Sequence, residues 1–224
     1  MLTPAVSKNR ALVAVVAALV VALGATWAYR EYRKSTQQRA ITVALQDTTA
    51  RLRDALAVAP SAAGKRSLPR IEAHAAAVDA HLKMVQASRA NAVLADGAEH
   101  YVIGAREILR RQAASIRQSE QSAAARAALV THMRSAARRD GAWIRDAMQQ
   151  KKTVETQYFD YGVTLKALAE LLFTFHDSRK RVEPHVDPSV LLEVGPAEDA
   201  RRVVLKESQR AAQDLEVVRR LAPR

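Results

Sequence analysis

Seven apolar residues, Val154, Tyr158, Tyr161, Leu165, Leu168, Leu172 and Phe175, recur at alternating intervals of four and three. That spacing follows the α-helical repeat and puts all seven on one face, which has to be covered by other helices. In a strand the same mixture of odd and even intervals would scatter them over both faces. Phe159, Leu171 and Phe173 lie beside the series, and five of the eight Tyr and Phe residues of the chain fall between Tyr158 and Phe175. Aromatic rings bury the most area per residue, so this helix is expected at the centre of a core. Packing, not a cofactor box, is the role the pattern predicts.

Shorter stripes of the same kind run through the rest of the chain. Ile41, Leu45, Thr48, Leu52, Ala55 and Ala59 form one, and Ile71, Ala75, Val78, Leu82 and Val85 another, with His74 and His81 along its edge. A third, Val102, Ala105, Leu109, Ala113 and Ile116, is followed at a shifted phase by Leu129, Val130 and Met133, and the shift suggests a break. The last, Ala200, Val204, Ala211, Leu215 and Val218, has charges on its opposite face. Only seven Gly and seven Pro interrupt 224 residues rich in Ala, Leu, Arg, Gln and Glu. The fold class is therefore all-α. Aromatics make up 4% of the residues, too few for a thick globular core, so an elongated antiparallel helical bundle with coiled-coil-like packing is expected.

Ahead of these stripes, Ala11 to Tyr29 is an uncharged run with no polar face. Nineteen helical residues at about 1.5 Å each match a hydrocarbon layer of about 30 Å. Ala11, Leu12, Val16, Leu19 and Leu23 are its apolar body, and Trp27 and Tyr29 stand where amphipathic rings favour the headgroup level. Lys8 and Arg10 flank one end and Arg30, Arg33 and Lys34 the other. The run exceeds the h-region of a cleaved signal peptide, so a retained single-pass signal anchor in a bacterial plasma membrane is the reading. The flanking charges are nearly balanced, and an extracytoplasmic, periplasmic domain is expected because long domains cross largely regardless of charge.

This divides the chain into a tail at 1–10, a transmembrane helix at 11–29, a stalk helix at 30–59 and a loop at 60–69. One or more long helical hairpins follow over 70–182, then a Pro-rich loop at 183–197 and a helix over 198–222. Asp96-Gly97 and Asp140-Gly141 are the candidate breaks inside the hairpins, with Asp96 and Glu99 able to form a capping box. Asp187-Pro188-Ser189 can make a single turn within the second loop.

The formal charge of +12 suggests nucleic acid until it is placed along the chain. Six bases against Glu31 give the first forty residues a net +5, a collar around the apolar run. Arg110-Arg111, Arg134 with Arg138, Arg139 and Arg145, and Lys151-Lys152 are interrupted by acids and lack stacking aromatics, which argues against nucleic acid as the partner. No Cys is present, excluding disulfides and thiolate chemistry. His74 and His81 are two turns apart, about 10 Å, too far to share a metal. No phosphate loop, nucleophile elbow or zinc motif occurs. The expectation is a protein without catalytic, cofactor or metal residues and without a small-molecule ligand, acting on membrane lipids and on a protein partner or its own copy as a scaffold. A small-molecule-sensing bundle working with a separate signalling partner is one alternative, and a cytoplasm-facing nucleic-acid- or lipid-binding domain another.

Overall fold

The computed structural model describes residues 5–62, 67–88, 92–135 and 140–221, with side chains described from 16 onward. Among them are five α-helices and no strand: α1 Ala5–Leu56, α2 Ser67–Ala87, α3 Ala92–Arg134, α4 Gly141–Val182 and α5 Val194–Arg220. The 4-3 series on α4 is buried from Val154 to Phe175, and all five members of the α2 stripe and all five of the α5 stripe are buried with it in one continuous cluster.

Side-chain contacts give the topology. His81 meets Asp47 and His74 meets Asp54, so α2 runs antiparallel to the second half of α1. Thr49 meets Tyr101 and the Val58 carbonyl meets Gln112, so α3 runs alongside α1 in the same direction. Phe175 lies against Gly104 and Tyr158 near Arg126, which makes α3 and α4 an antiparallel hairpin. α5 returns antiparallel to α4, with Glu207 on Tyr161 and Lys151 on the end of α5. Beyond Arg117, which pairs with Glu72 near the start of α2, α3 continues to Arg134 for about 25 Å, where among the described residues Arg126 meets Tyr158 of α4 and Asp214 of α5. The bundle thus has a five-helix half and a three-helix tip.

Several boundaries differ from the sequence reading. Asp96-Gly97 does not break a helix and Asp96 with Glu99 forms no capping box, because α3 begins at Ala92 and runs through both. Gly97 has another use: a Cβ there would sit 2.8 Å from the Arg181 carbonyl oxygen and 3.1 Å from the Val182 Cα. One heptad on, a Cβ at Gly104 would meet the Phe175 ring at 2.8 Å. These glycines let α4 approach α3 closely. The phase shift along α3 is likewise no break; the stripe changes direction where α1 and α2 drop away. At Asp140-Gly141 the chain does turn, and the Asp140 carboxylate accepts from the amides of Ala142 and Trp143, both at 3.0 Å, capping α4.

α5 starts at Val194 instead of Glu198, because Pro196 falls in the first turn, where an amide has no partner within the helix. The second loop shrinks to two 3-10 turns, Glu183–His185 and Pro188–Val190, the latter capped by Asp187 on the Ser189 amide at 2.8 Å. That bond holds the Asp187 carboxyl below the ordinary carboxylate range. α2 begins at Ser67 and takes Pro69 into its first turn, shortening the first loop, of which Gly64 lies outside the described residues. The stalk ends early: from Ile41 onward α1 is a buried member of the bundle. Helical backbone already begins at Ala5, inside the expected tail.

Among the described residues, no helix is long and apolar enough to cross a membrane. The run Ala11 to Tyr29 lies only partly among the described side chains, which take it up at Val16.

The glycines yield a paired test. Gly162, inside α4, has open space where a Cβ would go, so Gly162→Ala should stabilise by about 1 kcal/mol through helix propensity alone. In a domain of this size that raises Tm by roughly 2–4 °C. Gly97→Ala gains the same propensity but drives a methyl into the α4 backbone, and should lower Tm by several degrees. Thermal melts followed by helical circular dichroism decide it; equal shifts for the two variants would remove the close-approach role.

Candidate functional site

The expected site residues fall into three groups. Val16, Leu19, Leu23, Trp27 and Tyr29 all stand exposed on the part of α1 that precedes the bundle. Arg30, Arg33 and Lys34 follow them, also exposed, with Lys34 3.8 Å from Glu31. The side chains of Lys8, Arg10, Ala11 and Leu12 lie outside the described residues. Val154, Tyr158, Tyr161, Leu165, Leu168, Leu172 and Phe175 are brought together as buried packing on α4.

Between α1 and α2 the two histidines sit in a polar ladder. His74 Nε2 is 2.8 Å from an Asp54 oxygen, and His81 Nε2 is 3.2 Å from an Asp47 oxygen. On their other nitrogens, His81 Nδ1 meets the Thr48 hydroxyl at 3.0 Å and His74 Nδ1 lies 3.3 Å from an Arg51 nitrogen. Arg51 donates to Asp47 at 2.6 Å, and Arg70 approaches Asp54 at 3.3 Å. One heptad separates the acids and one heptad the histidines, so the antiparallel register matches them pairwise. Burial lowers the affinity of His81 for a proton, and Arg51 acts in the same direction against the opposing Asp47 carboxylate.

Two polar nodes lie deeper. Tyr101 is fully buried; its hydroxyl is 2.7 Å from the Thr49 hydroxyl and accepts from the Leu192 amide at 2.9 Å. Burial raises its pKa above the ordinary phenol value. Glu207, only 6% exposed, accepts from the Tyr161 hydroxyl at 3.1 Å and from both the amide and the hydroxyl of Ser61. Burial first, then the Glu207 charge, pushes the Tyr161 phenol upward. The carboxylate therefore joins α5, α4 and the loop after α1. Neither node was singled out in the sequence reading, although Glu207 stands between Val204 and Ala211 on the apolar face of α5, where a charge needs partners.

Among the described residues, two concavities stand out on the surface. One, of about 330 Å³, lies between the end of α4 and the start of α5, with Leu172, Phe175 and Leu192 in its walls and His176 and Arg201 among its polar residues. The other is a shallower groove at the three-helix tip, lined by Arg145, Lys152 and Arg220 with Met148 and Leu221. Lys151, also at the tip, donates to the carbonyls of Arg219 and Leu221 at 2.7 Å each and closes the end of α5. Arg110 pairs with Asp79 at 2.9 Å, so part of the basic surface is spent on the fold. Arg138 and Arg139 lie outside the described residues. Among the described residues, no group of three His, Asp or Glu side chains is placed to hold a metal ion.

The architecture is that of an all-α helical bundle extended at one end by an uncovered helix. No family model matches the chain, and comparisons with characterised proteins and with solved structures give no significant match.

Two measurements follow. The folded state holds His81 below its ordinary value near 6.5, so on acidification the unfolded chain takes up this proton first. The stability from neutral His81 is present above that value and is lost as pH falls through the lower folded-state pKa. Ring resonances of His81 should titrate below 6.5, and the loss of Tm between pH 7.5 and 5 should be smaller in His81→Gln than in the native chain; a midpoint above 6.5 reverses the sign. At the second node, Glu207→Ala leaves the Tyr161 hydroxyl and the Ser61 donors without their acceptor and should cost about 2–4 kcal/mol in urea unfolding. Tyr161→Phe keeps Ser61 satisfied and should cost about 1 kcal/mol. A Glu207→Ala cost no larger than that of Tyr161→Phe would contradict a shared node.

Proposed function

We propose that this chain is a single-pass, membrane-anchored helical-bundle protein whose domain faces the extracytoplasmic side and acts, without catalysis, as a binding or scaffold component for another protein or a second copy. The observation that carries the reading is the bare first half of α1. Val16, Leu19, Val20, Val21, Leu23, Trp27, Tyr29 and Tyr32 are each between 51% and 71% exposed, and the first buried residue of the helix is Ile41. Covering a Val or Leu side chain contributes about 1.5–3 kcal/mol, so the five aliphatics at the head of this set represent roughly 10 kcal/mol of unsatisfied burial. The bundle does not provide the cover. A lipid layer would, for the whole circumference at once, and the uncharged run extends on the N-terminal side to Ala11.

The sequence beyond the run fits such a layer. Arg30, Arg33, Lys34 and Arg39 follow within ten residues, each worth about 1 kcal/mol near an anionic lipid surface. Eleven residues of largely exposed helix separate Tyr29 from Ile41, and this spacer would hold the bundle about 18 Å away from the headgroups. Inside the bundle, the Asp–His ladder, the Tyr101 node and the Glu207 node each pair polar groups across helices. This internal use of polar groups supports a binding role over a catalytic one.

Fractionation of cells producing the full chain tests the anchor. The protein should remain in the membrane pellet through alkaline carbonate and leave it only with detergent. Alkaline phosphatase fused after Arg224 should be active and a cytoplasm-dependent fluorescent protein at the same point dark. Release by carbonate would sink the anchor, and the opposite pair of reporter signals would reverse the orientation.

A further inference from the structure

We infer that the cleft between the end of α4 and the start of α5 binds a small organic carboxylate with an apolar body. All of its residues lie in the bundle, so the inference stands apart from the membrane reading. The apolar part of the lining comprises the buried Leu172 and Phe175 from α4 and Leu192 from the segment before α5, together with the exposed Phe173 ring. Its volume of about 330 Å³ is at the small end of the range for ligand pockets, which suits a ligand of about ten heavy atoms.

The polar lining selects the charge. Three side-chain nitrogens of the described residues are buried without a hydrogen-bond partner, namely Nδ1 of His176 and Nε of Arg179 and Arg201, and all three residues line this cleft. The remaining buried atoms without a partner are glutamine oxygens at Gln112, Gln118 and Gln150, none of them in its lining. The two arginine Nε–H groups are donors, and His176 Nδ1 is one in the tautomer that carries its proton there; buried donors are ordinarily paired, so their clustering among the residues of one cleft calls for an acceptor. Arg201 and Lys180 make no ion pair among the described residues, and Arg179 uses one terminal nitrogen on Glu183 at 3.1 Å. The Arg201 guanidinium carbon lies over the Phe173 ring, 4.9 Å from its centre, a cation–π contact that steadies the side chain a carboxylate would engage.

The acids of the same lining set the limit. Asp177, Glu193 and Glu198 also lack ion pairs among the described residues. Against Arg179, Lys180 and Arg201 these three charges leave the lining with no net charge, which disfavours a polyanion; the unpaired donors then favour a single carboxylate on an apolar frame.

Isothermal titration of the full chain, kept dispersed in a mild non-ionic detergent, with sodium phenylacetate tests this, together with the ring resonances of His176. Phenylacetate should bind saturably at one site and move the His176 resonances. Arg201→Gln should weaken it roughly tenfold or more, the scale of one hydrogen bond to a charged group. Lys180→Gln should weaken it too, and Glu198→Gln should tighten it. Phenethylamine, which carries the ring without the carboxylate, and inorganic phosphate, which carries charge without the ring, should not saturate. Circular dichroism of each variant establishes that it is folded. Absence of saturable phenylacetate binding overturns the proposal. So does binding that a folded Arg201→Gln variant leaves unchanged, or phosphate binding as tight as that of phenylacetate.

Discussion

The packing of this bundle turns on Tyr101 and the two glycines that flank it. Gly97, Tyr101 and Gly104 lie four and three residues apart, on one face of α3. The glycines bring the α4 backbone and the Phe175 ring close, and Phe175 in turn packs on Tyr101 with centroids 4.9 Å apart. With its ring so held, Tyr101 extends its hydroxyl across the core to Thr49 of α1 and to the amide of Leu192, just ahead of α5. One side chain thus registers four segments. A phenol in such a place has to keep both partners, since a buried hydroxyl or amide left alone costs about 1–3 kcal/mol.

Away from that centre the cohesion changes in kind. The five-helix half buries Ile, Leu, Val and Tyr side chains from several helices, whereas at the tip fewer helices enclose Leu129, Val154, Tyr158, Leu215 and Val218 together with Ala147, Ala211, Ser122 and the Trp143 ring. The tip compensates with polar and aromatic contacts: the Asp140 cap, the stacking of His132 on Trp143 with centroids 5.0 Å apart, the Arg126 pair with Asp214, and Lys151 over the end of α5. Exposed contacts of this sort contribute less per pair than burial does. The gradient in stability should therefore run from the Tyr101 region toward the tip, with Glu207 near the middle as the last deeply buried tie.

Periodicity carried most of the fold. The stripes on α2, α4 and α5 reappear as buried faces because a 4-3 repeat admits few other solutions. Where the reading failed, one residue type had two physical uses. Gly97 after Asp96 has the sequence appearance of a helix break, yet the helix tolerates it at a cost of about 1 kcal/mol and gains close packing with α4. Pro196 was assigned to a loop and instead opens α5. The polar nodes were harder to see, since Glu207 pairs with Ser61 across 146 residues of sequence and His74 with Asp54 across a turn. Only the position of Glu207 on an apolar stripe signalled a buried charge in advance. The cleft between α4 and α5 has no sequence signature, because Arg201 and His176 are brought together solely by the antiparallel return of the chain.

The two halves of α1 pose the remaining physical question, since one continuous helix changes environment at Ile41. Before that residue its described side chains make almost no contact with the bundle; after it, Ile41, Leu45, Leu52 and Ala55 are core. A helix that is apolar around its whole circumference has no amphipathic solution in water, whatever the rest of the chain does. The bundle, by contrast, buries the apolar stripes of its helices against one another. On the proposed reading these opposite demands are met by two media joined through one rigid element, with the Arg30 to Arg39 segment at the boundary. Any movement of the anchor would then be delivered directly to Thr48 and Thr49, where α1 touches both the His81 ladder and the Tyr101 node.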